Sequence, residues 1–281
     1  MAEKSEVPGN APPREVVDYY GRYPEEDRLQ RGSFLLEFAR TKELLSRFLP
    51  PPPARVVDVG GAAGAYSFFL ADLGYEVHLV DLSSRLVEEA RRRNAGRARP
   101  VASFAAADAR RLPQADGSAD AVLVMGPLYH LPEAADRLAA LREAYRVLAS
   151  PGIVIVAAIS RYASTLDGLA RHLTRDPQFV AIRDRDLVDG QHRNETGNDH
   201  YFTTSYFHRP EDMRAELESA GFADPAVLGV EGPGWQIPDF DERWADEVAR
   251  NDLLKIARAV ESAPSILGVS AHLLGVGRKA R

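Results

Sequence analysis

Between residues 33 and 48, Phe34, Leu35, Phe38, Leu44, Leu45 and Phe48 recur at helical spacing, and the run from Pro50 to Pro53 stops the helix. From Arg55 onward the pattern changes to short apolar runs that alternate with amphipathic ones. Arg55–Val59 reads as a buried strand, Ala65–Asp72 as a helix closed by Gly74, and Glu76–Val80 as a second strand. Helix Ser84–Asn94, a weaker strand at Ala102–Ala106, strand Ala121–Met125 and helix Ala134–Leu148 follow. The turn Ser150-Pro151-Gly152 leads into Ile153–Ile159, apolar throughout, as expected of a strand covered on both faces. Strands alternating with helices predict an α/β, doubly wound, mostly parallel sheet.

Residues 161–209 break this rhythm. They are rich in Arg, Asp, His and aromatics, with helical stretches but no strong strand. Helix Pro210–Ala220, strand Ala226–Val230, a long helix over Asp241–Ser262 and a last strand over Ser270–Val276 complete the pattern. The expected organisation is a disordered tail over 1–13, a helical cap over 14–49 and an α/β core over 50–160. An insertion over 161–209 then acts as a substrate lid, and 210–281 returns to the core.

Composition narrows the classes. The chain has 281 residues, 45% of them hydrophobic, enough for one large α/β domain with additions. It has no cysteine, which removes disulfides, thiolate metal sites and a cysteine nucleophile. No apolar run is long enough to span a membrane, and the first residues lack the apolar core of a signal peptide, so a cytoplasmic location is expected. The net charge of −6 argues against general nucleic-acid binding. Arg91, Arg92, Arg93, Arg97 and Arg99 cluster at one helix end, where cations suit the helix dipole.

The chemistry concentrates in Val56–Gly64, an apolar run followed by an acid and a loop of small residues. A dinucleotide fingerprint starting at Gly60 needs glycines where Ala62 and Ala65 stand. Starting at Gly61, it needs them at Ala63 and Tyr66. Both frames fail, and no phosphate-binding P-loop sequence is present. Asp58-x-Gly60-x-Ala62-x-Gly64 instead resembles the D-x-G-x-G-x-G signature of class I S-adenosylmethionine-dependent methyltransferases, with Ala62 in place of the middle glycine.

The resemblance extends through Asp116–Val124, Met125-Gly-Pro-Leu-Tyr-His-Leu131 and Leu141–Gly152, and is strong over about residues 54–160. Ser160–Ala163, Gln191–Asn194 and Tyr206–Pro210 are similar to a bacterial small-molecule branch of that family. It implies a Rossmann-like, mostly parallel seven-stranded sheet with S-adenosylmethionine as cofactor and S-adenosylhomocysteine as product. By resemblance Asp58 orients the ammonium group, Asp81 takes the ribose hydroxyls, Leu82 lies on the adenine, and Asp108 with Ala109 reads its amino group. Gly60, Gly61 and Gly64 pass under the ligand, Tyr66 packs on its methionine tail, Met125 adjoins it, and Tyr20 reaches it from an N-terminal lid.

Ligands of open α/β sheets bind beyond the carboxyl ends of the strands. Tyr129 and His130 therefore face the reacting methyl group, and His130 is the candidate general base, its alternative role being to hold the loop by hydrogen bonding. The insertion offers Arg161, Tyr162, His192, Asn194, Tyr206 and His208 as candidate substrate contacts for a small planar or heteroatom-rich molecule. His192, His200 and His208 match no common metal-ligand spacing, so no metal is expected. The sequence reads best as a methyltransferase acting on an O or N atom of a small molecule, with no nucleic-acid or membrane partner and no indication of oligomeric state. An RNA- or protein-directed methyltransferase and a non-catalytic cofactor binder are the alternatives.

Overall fold

A computed structural model of the chain describes residues 25–280. The expected tail over 1–13 and Tyr20 lie outside the described residues. Helix α1 (Phe34–Phe48) precedes the sheet, and its Leu44 and Leu45 are fully buried against it. Strand β1 (Arg55–Val59) lies at the centre, with Val56, Val57 and Asp58 inaccessible to solvent. Helix α2 (Ala65–Leu73), β2 (Glu76–Asp81), α3 (Ser84–Asn94), β3 (Ser103–Ala106) and β4 (Ala119–Val124) follow. Helix α4 (Ala134–Val147) then leads to β5 (Leu148–Ser160). The parallel order is β3-β2-β1-β4-β5.

After the insertion come α7 (Pro210–Ser219), β8 (Ala223–Gly229), α8 (Phe240–Ala245), α9 (Glu247–Val260) and β9 (His272–Lys279). Strand β9 runs antiparallel between β5 and β8. Buried apolar residues on both sides of the sheet form the core: Val57, Val122 and Leu141 on one face, Val56, Leu79 and Leu123 on the other.

Three expectations need correction. The sheet has nine strands rather than seven among the described residues, because the insertion adds β6 (Gln191–His192) and β7 (Ser205–His208) after helices α5 (Ala163–Ala170) and α6 (Pro177–Asp189). Such short strands show no alternation, and their pairing is fixed by distant partners. Phe207 aligns with Ile159, whose other edge pairs with His272, so β7 sits on the β4 side of β5, beyond the end of β4. The second correction is at Ser150–Gly152, where β5 runs on through the expected turn with a register shift against β4. The third is the long C-terminal helix. It breaks at Asp246, whose extended backbone and side-chain acceptance from the Ala249 amide start α9 anew.

Candidate functional site

The site is built first from the loop that leaves β1. The amides of Gly60 and Gly61 both donate to the Val80 carbonyl, at 2.8 and 3.2 Å, and pin the loop on β2. Gly60 has φ +78°, and a Cβ there would stand 2.5 Å from the Pro127 ring, so this loop and the one after β4 touch. At Gly61 a Cβ would meet Leu79 at 2.8 Å. Gly64, at φ +94°, turns the chain into α2 and packs under Phe68 without lining the cavity above. Ala62 takes the left-handed conformation at φ +46°, the backbone state for which the family signature has glycine.

Two acids stabilise this loop. Asp81, at the end of β2, accepts from the Ala62 amide through Oδ2 at 2.9 Å and from the Ser83 amide through Oδ1 at 2.8 Å. Asp58 lies fully buried beneath the loop, its Oδ2 accepting from Ser67 at 2.6 Å. Its Oδ1 is buried with no hydrogen-bond partner. Burial and the nearby Asp81 charge, opposed by the Ser67 hydroxyl, push the Asp58 carboxyl up to about 6. Burial likewise raises Asp81, against its two amide bonds.

Above these residues lies a cavity of about 380 Å³ at the carboxyl ends of β1, β2, β3 and β4. Of the residues expected to bind cofactor, Gly60, Gly61, Tyr66, Asp81, Leu82, Asp108, Ala109 and Met125 line it, and so do Tyr129 and His130. Asp108 is not open on every side. Arg110 holds both its oxygens with a guanidinium fork (Nη2–Oδ2 2.7 Å, Nε–Oδ1 3.0 Å) and bridges to Asp136 at 2.9 Å. Burial would raise Asp108, but Arg110 holds it below the usual carboxylate value.

Residues the sequence reading did not single out complete the wall: Arg28, Leu29 and Gln30 on a 3-10 turn (Glu25–Gln30), and Phe38 on α1. Phe38 carried a signal as an apolar helix position, and its ring lies 5.5 Å from that of Tyr66. Arg28 sits in a polar stretch that gave none.

His130 is not placed as a ready base. Desolvation drives its imidazole down to about 3, against a hydrogen bond with the Thr204 backbone, so the ring is neutral and a weak proton acceptor near neutral pH. It packs edge-on to Tyr129 at 4.6 Å and faces Phe202 at 6.0 Å. The geometry makes it the pin between the Pro127–His130 turn and the insertion.

None of the six insertion residues expected to contact substrate lines the cavity. Arg161 is buried, donating to the Phe207 carbonyl at 2.7 Å and to Asp212 at 3.1 Å. Tyr162 is 41% exposed and covers Gly268. His192 is held between Asp186 (2.9 Å) and the Tyr201 carbonyl (2.7 Å). Asn194 braces its loop on the carbonyls of Asn198 and Phe202. Tyr206 lies under the Arg137 guanidinium at 3.5 Å, and His208 pairs with Glu216 at 3.2 Å. Apart from Tyr162, these side chains turn inward because buried polar groups must be paired, and their partners lie both within the insertion (Phe207, Asp186, Tyr201) and on α4 and α7 (Arg137, Asp212, Glu216).

Among the described residues, Glu37, Glu231 and His272 come close enough to share a metal ion. Their oxygens are already engaged by Arg28, Ser270 and His272 itself, so the cluster is neutralised without one.

The topology and the position of the cavity define a Rossmann-like nucleoside-cofactor fold of the methyltransferase type. The family model described as a methyltransferase domain matches residues 56–152. A demethylmenaquinone methyltransferase of Beutenbergia cavernae is 40% identical over 109 residues, 39% of this chain and 42% of that protein, so the chain matches less than half of this relative's length. A ubiquinone biosynthesis O-methyltransferase of Xanthomonas axonopodis pv. citri is 30% identical over 201 residues, covering 69% of this chain and 73% of that one. The crystal structure of an S-adenosylmethionine-dependent methyltransferase from Mesorhizobium loti shares the fold with TM-score 0.58 at 19% identity, over 87% of this chain and all (100%) of that one. The chain belongs to the class I S-adenosylmethionine-dependent methyltransferase family.

Proposed function

We propose that this protein transfers a methyl group from S-adenosylmethionine to an O or N atom of a small molecule. The observation that carries the reading is Asp81: its carboxylate is fixed by two loop amides at the edge of the cavity, leaving further lone pairs for a vicinal diol. At the other end of the cofactor, Asp58 does not line the cavity as the sequence led one to expect: it is fully buried beneath the loop with Oδ1 unpartnered, and so supports the loop under the ammonium end instead of accepting from it directly. Leu82 provides an apolar face for the adenine, with Asp108 and Ala109 at its rim, and Arg28 presents a guanidinium suited to the carboxylate of the tail.

The cofactor, when bound, supplies an electrophilic methyl group on sulfonium. The chain's own part is positioning: Phe38, Tyr66, Met125 and Tyr129 form apolar and aromatic walls that exclude water and hold the acceptor in line. Such walls suit a flat, largely apolar acceptor, and the names of the two relatives, both from quinone metabolism, agree with that class. The acidic charge of −6 supports a small-molecule acceptor over RNA. Among the described residues no helix is long and apolar enough to cross a membrane.

Calorimetric titration with S-adenosylhomocysteine tests the cofactor reading. Saturable binding with no binding of NAD is the expected result, and tight NAD binding with none of S-adenosylhomocysteine overturns it. Methyl-labelled S-adenosylmethionine offered with a panel of small aromatic alcohols and amines then tests the acceptor class. Label transferred only to RNA or protein favours the macromolecular alternative.

A further inference from the structure

A charged cluster beside the cavity has no role in the cofactor fit described above beyond Arg28 itself. The Arg28 guanidinium, on the cavity wall, donates to Glu37 Oε2 at 2.7 Å and Oε1 at 3.1 Å and lies over the Phe34 ring at 4.8 Å. His272, the first residue of β9, places Nδ1 3.7 Å from the same Glu37 oxygen and 2.5 Å from Glu231 Oε1. Glu231 Oε2 accepts from Ser270 Oγ at 2.6 Å and from the His272 amide at 3.0 Å. Glu231 is 1% exposed and Glu37 6%. One imidazole therefore stands between two buried carboxylates that arrive from different elements.

The groups that face His272 are Glu231 and Ser270 after β8 and before β9, Glu37 on α1, and Arg28 on the turn before it. Tyr66 of α2 adjoins Glu37, with its hydroxyl bonded to Thr41. Arg40, one turn further along α1, donates to the Val230 carbonyl at 3.3 Å. Burial alone would lower His272, yet Glu37 and Glu231 hold it above its usual value. Burial would raise Glu37, but Arg28 and His272 hold it below.

Arg28, which Glu37 holds, also faces any anionic group that enters the cavity. A ligand carboxylate that engages the guanidinium adds a negative charge and draws Arg28 away from Glu37. The nearest replacement cation for Glu37 is a protonated His272. We propose that His272 is a positioning residue for the carboxylate end of the cavity ligand: through Glu37 it sets Arg28, and it takes up a proton from solvent when a carboxylate engages Arg28. No other bond is made or broken; the proton ends on the imidazole, between Glu37 and Glu231. This inference rests on the cavity being the S-adenosylmethionine site.

Calorimetric titration of the full chain with S-adenosylhomocysteine in HEPES and in Tris at pH 7.5 counts the protons taken up. The wild type is expected to take up about half a proton more than His272→Gln, since linkage at a single group is bounded by one proton. Glu37→Gln, which keeps the shape and removes the charge, should abolish the same difference and serves if His272→Gln does not fold. With 5′-methylthioadenosine, which lacks the carboxylate, wild type and variants should match. Equal proton counts for wild type and both variants with S-adenosylhomocysteine overturn the proposal and leave the cofactor reading standing. A His272-dependent uptake with 5′-methylthioadenosine overturns it too. If S-adenosylhomocysteine does not bind the wild type at all, the cofactor reading falls and takes this inference with it.

Discussion

The backbone amide of Ala62 donates to Oδ2 of Asp81 at 2.9 Å, so the residue that replaces the middle glycine of the loop and the acid that closes β2 act as one unit. The bond explains how alanine is tolerated at φ +46°: the loop is held in its left-handed turn from outside. It also means that Asp81 both shapes the loop and lines the cavity.

Asp81→Ala should therefore weaken S-adenosylhomocysteine binding by at least about tenfold, the effect of losing one charged hydrogen-bonding group of about 1.5–3 kcal/mol. Calorimetry of the variant measures this. Unchanged affinity would mean that the ribose site lies elsewhere.

Ala62→Gly should stabilise the protein. A non-glycine residue in the left-handed region costs roughly 1–2 kcal/mol, and glycine returns about 0.5–1 kcal/mol of that through its looser unfolded chain. The net expected gain is up to about 1.5 kcal/mol, read as a higher denaturant midpoint at constant m-value. A lower midpoint would show that the methyl group of Ala62 packs favourably enough to outweigh the strain.

Asp58 gives stability a defined pH dependence. Its carboxyl sits at about 6 in the folded protein against 3.8 for a free carboxyl, so the native state binds the proton more tightly. Its contribution is fully present below the ordinary carboxyl range, declines as the pH rises from about 4 to about 6, and is flat above that. The full span is on the order of 2–3 kcal/mol. Chemical denaturation of the wild type and Asp58→Asn at several pH values between these limits checks it: the difference between them should change sharply across this window. A constant difference would contradict the raised carboxyl.

His130→Ala should lower cofactor affinity and loosen the insertion together, because the ring joins the cavity wall to Phe202 and Thr204. Protease sensitivity within 190–204 and S-adenosylhomocysteine affinity are the paired measurements. A large loss of turnover with affinity and protection intact would restore His130 as the base.

The family loop shows why local sequence is informative here. Strand β1 and helix α3 keep the boundaries read from the pattern, since each is set by nearby residues: an apolar run before a glycine turn, a Ser83 cap before an amphipathic stretch. The long helix over Asp241–Ser262 failed at Asp246 because a capping aspartate inside a periodic stretch looks like any surface polar residue.

The α/β alternation, the loop from Asp58 to Gly64, and the placing of Asp81 and Asp108 after successive strands are legible in the residues alone. These depend on backbone geometry within a few residues and on the rule that ligands meet an open sheet at its carboxyl edge. The tertiary structure alone decided which polar side chains reach the cavity. Arg161 and His208 turn inward onto Asp212 and Glu216 of α7 and His192 onto Asp186 and Tyr201, His130 is buried against Phe202 and Thr204, more than seventy residues away, and Arg28 is held at the wall by Glu37. The meeting of Glu37, Glu231 and His272 arises from residues far apart in the chain. Such pairings depend on how helices and strands pack, and no local pattern records them.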